Sequence, residues 1–413
     1  MLAAALAPTG GRATEKAELR PAVASTYPVA SEVRVAGDEK RTRFILELDR
    51  KIELRAFALA NPNRIVLDIP QVTFQLPAGV GDATRGLVKA FRYGLVMPGG
   101  SRIVMDLKRP AKIEQAYVLG AENGQPPKLI VDLTATDRAT FMQGIAAETR
   151  KAMATAPDAT AAITPSPAAK ADAHDTRPVV VIDPGHGGID HGTQAQSGEN
   201  EKSIVLDFAR ALRARIESGG KYRVVMTRDD DTFIPLAERV KIAQRHKAAL
   251  FLSVHADALP QGEGDAQGAT VYTLSDTASD AEAAKLAESE NRADLIAGID
   301  LSDEPAEVAD ILIDLARRET KTFSNRFARG LVKEMKSVAR LHKNPLKSAG
   351  FRVLKAPDVP SVLLELGYVS NKADLELLVS DSWRSRTVGS VAHAVELFFG
   401  RRAGVTEAKK DER

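Results

Sequence analysis

The spacing of apolar residues along the chain divides it into two structural classes. Over residues 33–134, apolar and charged residues alternate in short runs, which predicts half-buried antiparallel strands. From Pro178 onward, short apolar runs alternate with segments of helical periodicity, which predicts an α/β domain. The predicted fold is therefore an α/β domain with a mostly parallel, twisted sheet flanked by helices, preceded by a small all-β sandwich.

The β-rich part contains an internal repeat. The motif TRFILEL at 42–48 resembles SRIVMDL at 101–107, and RIVLDI at 64–69 resembles KLIVDL at 128–133. Each copy predicts three strands, so the whole predicts a sandwich of two similar halves. No histidine precedes His174 and the acidic residues lie on strand faces, so we expect this part to bind or position rather than to catalyse.

Composition supplies the remaining boundaries. The region 137–177 is rich in alanine and proline and low in large apolar residues, so it cannot bury a core and is typical of a linker, with a short helix possible over 139–153. We assign the chain as follows: 1–29, a leader or signal-peptide remnant; 30–136, the sandwich; 137–177, the linker; 178–403, the α/β domain; 404–413, a charged tail.

Charge and cysteine content narrow the function classes. The 413 residues carry 57 Lys and Arg against 55 Asp and Glu, a net charge of +2, so neither a nucleic-acid nor a membrane partner is indicated. The absence of cysteine excludes thiolate ligands, disulfides and thiol nucleophiles, and it is compatible with an oxidising compartment. Residues 1–8 are apolar but too short for a complete export signal, which predicts a truncated or mis-started signal peptide.

Three polar residues lie where strands and helices of the α/β domain meet. His186 follows the apolar run 179–182, His255 follows the run 249–254, and Glu201 begins the helix after Asn200. In a parallel sheet both histidines lie at one edge, where ligands bind. Two imidazoles and one carboxylate are the protein ligands of an open zinc site. Each histidine taken singly is more readily structural than functional, but both at strand ends together with Glu201 favour a metal site.

Glu365 interrupts an otherwise apolar strand over 361–367. A buried lone carboxylate is costly unless it is paired or metal-bound. The alternative is a glutamate on a solvated strand face. Near zinc, a carboxylate can accept a proton from water and later deliver it to a leaving group.

Five motifs in the α/β part resemble those of zinc-dependent N-acetylmuramoyl-L-alanine amidases. They occur in the family's order over about 178–402: VIDPGHGG at 181–188, EK at 201–202, YRVVMTRD at 222–229, LSVHAD at 252–257 and LELGYVSN at 364–371. The repeat domain resembles the AMIN domain of the periplasmic cell-division amidases. These resemblances imply a periplasmic location and binding to peptidoglycan at the division site.

The resemblance also implies the roles of individual residues. It implies Zn²⁺ bound by His186, Glu201 and His255, with Glu365 as the catalytic acid and base. The implied reaction is hydrolysis of the amide between the lactyl group of N-acetylmuramic acid and L-alanine.

The segment 275–320, here called the insert, begins acidic and then carries an apolar stripe at 308–316. One interpretation is a solvated helical excursion at the sheet edge. The resemblance implies instead a helical segment that covers the active site, with a glutamate on zinc until an activator protein displaces it. Glu290 is the candidate for that contact and Glu288 the second choice. A fourth anionic ligand would exclude the nucleophilic water.

Two other functions were weighed against an amidase. A non-catalytic peptidoglycan-binding scaffold predicts that a ligand is missing, and none is missing. A phosphate-binding loop enzyme, suggested by the glycines around His186, requires a Gly-Lys-Ser/Thr motif or dinucleotide glycine spacing, and the chain has neither there.

Overall fold

The computed structural model describes residues 26–155, 175–258, 267–299 and 311–408, with short gaps at 78, 83–84, 98, 123 and 196. The predicted leader up to residue 25, the linker over 156–174, the insert over 300–310 and the tail beyond 408 lie outside the described residues.

The N-terminal domain consists of two packed, mainly antiparallel sheets and one helix. Its elements are β1 Val29–Gly37, β2 Arg41–Leu48, β3 Arg55–Leu59, β4 Arg64–Pro70, β5 Thr73–Phe74, β6 Val88–Met97, β7 Gly100–Leu107, β8 Ala111–Leu119, β9 Lys128–Ala135 and α1 Arg138–Thr155. One sheet has the order β5-β1-β2-β9-β8 and the other β3-β4-β7-β6. The all-β prediction for this domain is confirmed.

The internal repeat has four strands per copy, one more than the sequence pattern predicted. Strands β1 and β6 precede the three predicted strands of each copy and were missed. Each copy gives its first two strands to one sheet and its last two strands to the other. The two sheets are therefore related by an approximate two-fold axis, and both contain strands of both copies.

Equivalent ion pairs lie on the outer faces of these two sheets. Arg102 on β7 pairs with Asp68 at 2.6 Å, and Arg43 on β2 pairs with Asp132 at 2.6 Å. Apolar residues alternating with these charges point inward, and Phe44, fully buried, meets Phe91 edge to face. The alternation of charged and apolar positions thus separates the outer faces from the core.

The C-terminal domain is an α/β sandwich around a six-stranded sheet. Its elements are β10 Val179–Pro184, α2 Glu201–Glu217, β11 Arg223–Met226, α3 Leu236–Arg245, β12 Leu250–His255, β13 Ala269–Leu274, α4 Ala281–Glu290, α5 Ala293–Ile296, α6 Ile311–Met335, β14 Leu341–Ala349, β15 Ser361–Glu365, α7 Lys372–Leu378 and α8 Asp381–Ala408. The strand order is β11-β10-β12-β15-β13-β14. Strands β10, β11, β12 and β15 are parallel, and β13 is antiparallel to β15.

Both faces of this sheet are buried, which explains why its strands are continuous apolar runs. Along β10, Val180 and Ile182 belong to one core with helices α2, α6 and α8. Val179 and Val181 belong to the opposite core, which includes Phe233 of the loop before α3. The mostly parallel α/β prediction is confirmed. The pattern missed β14, and α8 continues to Ala408, which lies within the predicted tail of 404–413.

The N-terminal domain packs directly against the second of these cores. Leu59, Val66 and Val104, from the sheet β3-β4-β7-β6, are buried in the same cluster as Ile189 and Ala297. Within the described residues, no helix has the length and apolar character needed to cross a membrane.

Candidate active site

The carboxyl ends of three parallel strands bring the site residues together. His255 ends β12 and is in register with Glu365, which ends β15. His186 lies two residues beyond β10, the strand on the other side of β12. Glu201 is the first residue of α2. All four side chains are buried, with Glu201 and Glu365 fully inaccessible.

Two imidazole nitrogens and two carboxylate oxygens converge at the centre of the site. Glu201 Oε1 lies 3.1 Å from His186 Nε2 and 3.3 Å from His255 Nδ1. Glu290 Oε2 lies 3.7 Å and 3.2 Å from the same two nitrogens. His186, His255 and Glu290 each offer an atom within 4.8 Å of the others, a group that could hold a metal ion.

The bonding of these nitrogens fits a metal. Neither His186 Nε2 nor His255 Nδ1 has a hydrogen-bond partner among the described residues, although both are buried. Ligands at zinc distances around a tetrahedral ion lie roughly 3.3–3.6 Å from one another. The observed separations of 3.1–3.7 Å are close to that spacing. Two orphaned imidazole nitrogens facing two carboxylates therefore form a suitable donor set.

The orientation of His186 is set by its neighbours. Its Nδ1 is 2.9 Å from Asp190 Oδ2, which leaves Nε2 directed at the site. Its backbone has φ +58°, a left-handed conformation that is unfavourable for a residue with a side chain. A Cβ on Gly185 would lie 2.3 Å from the ring of His255, so that position requires glycine.

A buried ion pair holds this strained loop. Arg239 donates to Asp183 Oδ1 at 2.8 Å and to the carbonyls of Pro184 and His186, each at 2.8 Å. Asp183 also accepts hydrogen bonds from the Thr227 and Ser253 hydroxyls. Burial raises the pKa of Asp183, but Arg239 and these hydroxyls outweigh it and lower the pKa below the usual range.

Glu201 is held by backbone donors as well as by the histidines. The backbone N–H groups of Ala256 and Thr193 donate to its two oxygens at 2.9 and 3.0 Å. Burial raises the pKa of Glu201, but His186 and His255 outweigh that effect and lower it well below its ordinary value. The surroundings of Glu201 therefore favour its ionised form.

Glu365 has the opposite character. Its Oε2 accepts the Asp257 backbone N–H at 3.1 Å, while Oε1 has no partner in the described part of the chain. Burial first, then the charges of Glu201, Asp257 and Glu290, raise the pKa of Glu365 well above its ordinary value. A carboxyl group with a raised pKa and a free oxygen can hold a proton and release it.

The carboxylates around the histidines also change their proton affinity. Burial lowers the pKa of His186, but the charges of Asp190, Glu201 and Glu290 have a larger, opposite effect. The pKa of His186 is therefore well above its ordinary value. Burial, partly offset by the two histidines, raises the pKa of Glu290 to about 7.

Helix α4 of the insert brings Glu290 into the site. Asp280 caps the helix by accepting the Ala283 N–H, and Leu286 and Ala287 are buried against the domain. Glu290 is 6% exposed, whereas the Glu288 side chain is 65% exposed and pairs with Arg292. Of the two glutamates considered from the sequence, the structure brings Glu290 to the histidines and leaves Glu288 in solvent.

Both ends of α4 are anchored to the α/β domain. At the start, Glu282 accepts from Tyr368 at 2.8 Å and pairs with the buried Lys347 at 2.8 Å. Directly after the helix, Asn291 donates to the Gly350 carbonyl and accepts from the Arg352 N–H. These bonds hold α4 over the site.

Sequence reasoning missed three residues that shape the site. Asp190 orients His186, Asp257 binds the Thr193 hydroxyl beside Glu201, and Arg239 holds the His186 loop. Asp190 and Asp257 each lie within four residues of a predicted histidine, a signal that could have found them. Arg239 is in a helix with many polar residues and gave no such signal.

Comparisons with known proteins extend these observations. A sequence profile described as N-acetylmuramoyl-L-alanine amidase matches residues 180–397, and the AMIN domain profile matches residues 32–133. The N-acetylmuramoyl-L-alanine amidase AmiC of Escherichia coli is 33% identical over 387 residues, covering 92% of this chain and 91% of the relative. AmiC of Neisseria meningitidis is 32% identical over 408 residues, covering 94% and 95%.

A solved structure gives a further comparison. The N-acetylmuramoyl-L-alanine amidase from Clostridium difficile 630 aligns with a TM-score of 0.39 and 20% identity, covering 54% of this chain and 97% of that one.

Replacing Arg239 by methionine should strongly destabilise the protein. It leaves Asp183 buried without its ion-pair partner and frees the strained His186 loop, so we expect a loss of about 3 to 5 kcal/mol in unfolding free energy. Urea unfolding measures this change. Arg245→Met is the matched control, since Arg245 is in the same helix and forms an exposed pair with Glu238. Equal stability of both variants would contradict the structural role of the buried pair.

Proposed function

The chain belongs to the N-acetylmuramoyl-L-alanine amidase family and carries an AMIN domain, and we propose that it cleaves peptidoglycan with zinc under the control of its own insert. Peptidoglycan amidase activity follows from the family. The proposed bond is the amide between the lactyl group of N-acetylmuramic acid and L-alanine, cleaved in the septal wall during division.

The observation that carries the proposal is the pair of buried imidazole nitrogens without hydrogen-bond partners, facing Glu201. His186, Glu201 and His255 would hold the zinc ion, with Asp190 fixing the His186 ring. Zinc in such a site polarises a carbonyl oxygen and lowers the pKa of a water molecule to about 7. A non-catalytic wall-binding scaffold accounts for the AMIN domain but gives no reason for this donor set.

Glu365 is the proposed acid and base. It would accept a proton from the attacking water as the new C–O bond forms at the lactyl carbonyl. It would then donate that proton to the alanine nitrogen as the C–N bond breaks, which yields a lactyl carboxylate and a free stem peptide. The free Oε1 and the raised pKa of Glu365 support this role.

Glu290 is the proposed inhibitory group. Its carboxylate approaches both zinc-binding nitrogens, and with Asn291 it lines the small cavity beside His186 and His255. With Glu290 in this place, its carboxylate would compete with water and substrate for a metal held by His186, Glu201 and His255. An activator protein at the division site would then have to move α4 before the enzyme can act.

The cellular setting belongs to the same proposal. Export to the periplasm is supported by the AMIN domain, by the likeness to AmiC and by the lack of cysteine. Binding of the AMIN domain to peptidoglycan would hold the enzyme at the division septum.

Purified protein should contain about one zinc per chain, and His186→Ala should lose it. Elemental analysis measures the metal, and the rise in unfolding temperature on adding zinc measures binding independently of activity. His393→Ala is the control, because His393 is an exposed histidine on α8 paired with Glu334. A His186→Ala protein that stays fully metallated would contradict the assignment.

Glu365→Gln should abolish cleavage while zinc content stays unchanged, since the amide cannot take up the proton. Mass spectrometry of sacculus digests should find stem peptides that begin with a free L-alanine in the wild type only. The control Glu376→Gln alters an exposed glutamate on α7. Release of such peptides at the wild-type rate by Glu365→Gln would rule out this role.

Glu290→Ala should raise the basal rate of peptide release from sacculi, because it frees the fourth position on the ion. Loss of one inhibitory ligand should give an increase on the order of tenfold, equivalent to about 1.4 kcal/mol in the closed state. Glu288→Ala, two residues away in the same helix but exposed, should behave as wild type. Equal basal rates for the two variants would contradict autoinhibition through Glu290.

A further inference from the structure

The AMIN domain contacts the segment that follows the blocking helix α4. This exit segment, residues 293–299, contains α5 and the turn after it, and the end of so short a helix leaves carbonyls that need hydrogen-bond donors from outside the helix. Three arginines on the outer face of the sheet β3-β4-β7-β6 satisfy them. Arg64 donates to the Leu295 carbonyl at 2.7 Å, Arg92 to Ile296 at 2.6 Å, and Arg102 to Ala297 at 3.0 Å and Gly298 at 3.3 Å.

These arginines are held in place within the sheet. Arg92 pairs with Asp106 at 2.6 Å, and Arg102 pairs with Asp68 at 2.6 Å. Arg64 is only 2% exposed. Because the carboxylates fix the guanidinium groups before contact, less side-chain entropy is lost when the carbonyls bind.

Apolar and close backbone contacts complete the interface. A Cβ added to Gly298 would lie 3.0 Å from Val104 and 3.1 Å from Val66, so the sheet packs directly on the exit segment. On the His186 loop, Ile189 N–H donates to the Leu95 carbonyl at 3.2 Å. The same sheet therefore touches both the loop that carries His186 and the segment that directly follows the helix carrying Glu290.

The approximate two-fold symmetry of the AMIN domain provides an internal comparison. The positions of Arg92 and Arg102 are occupied on the other sheet by Arg34 and Arg43. The Arg34 and Arg43 side chains are 66% and 50% exposed, against 23% and 16% for Arg92 and Arg102. One face is thus docked on the insert while its counterpart faces solvent.

We propose that the β3-β4-β7-β6 face of the AMIN domain acts as a latch: it holds the insert in its inhibitory position, in addition to the bonds that anchor α4. Undocking this domain is then a step in opening the active site. The proposal rests on autoinhibition by Glu290. Asp294 lies four residues after Glu290, and its carboxylate accepts the Leu236 N–H at the start of α3. Asp294 therefore links the undocking of the exit segment to the movement of Glu290. Release of the exit segment removes the support on the C-terminal side of Glu290.

The test compares Arg92→Gln/Arg102→Gln with the symmetry-matched Arg34→Gln/Arg43→Gln, both in the full chain with zinc. For the docked face we expect faster hydrogen exchange over residues 281–299 and at least about a threefold rise in basal peptide release from sacculi. For the solvent face we expect wild-type values. Unchanged exchange of the β2 and β9 amides in the docked-face variant, and of the β4 and β7 amides in the solvent-face variant, shows that each variant is folded.

Glu290→Ala, measured in parallel, separates the two proposals. If it raises basal release but the docked-face variant does not, the latch is wrong and autoinhibition stands. If neither variant raises release, both fail. If the solvent-face variant raises release as much as the docked-face variant, the effect is one of charge on the domain and the latch is again wrong.

Discussion

The buried pair of Asp183 and Arg239 is the interaction on which the site depends. It places one charge near the end of strand β10 and ties it to helix α3, and the same guanidinium binds the carbonyl of His186. A histidine at φ +58° persists only where its surroundings over-determine it. The pair therefore fixes the His186 imidazole relative to the sheet. The neighbouring strands β12 and β15 bring His255 and Glu365 to the same edge.

The site gathers more negative charge than its two histidines can balance. Glu201 stays ionised, because backbone N–H groups and both imidazoles face it, whereas burial and the neighbouring carboxylates raise the pKa of Glu365. The same environment raises the pKa of Glu290. Carboxyl groups in one cavity thus acquire different proton affinities from their surroundings alone, as the proposed roles of metal ligand, proton carrier and inhibitor require.

Much of this arrangement was predictable from local pattern. The apolar runs located β10, β12 and β15. Since these strands are parallel, their carboxyl ends lie at one edge of the sheet, and His186, His255 and Glu365 stand at or just after those ends. Glu290 was predicted only from the family resemblance. No local sequence pattern connects helix α4 with the two histidines that Glu290 contacts. Arg239 and the interdomain arginines were not predictable, because their partners, Asp183 and several backbone carbonyls, lie far away in sequence. Strands β1 and β6 were missed because their apolar positions are only half buried.

Because each copy of the repeat gives strands to both sheets, the two copies of the N-terminal domain depend on each other to fold. One copy alone supplies a hairpin to each of two sheets, and neither hairpin has the neighbours needed to bury its apolar side. A single copy would therefore need strands from a second copy, in the same chain or in another, to cover both of its hairpins. Fusion into one chain frees the halves to diverge, so that one outer surface can specialise for contact within the molecule while its twin keeps facing outward.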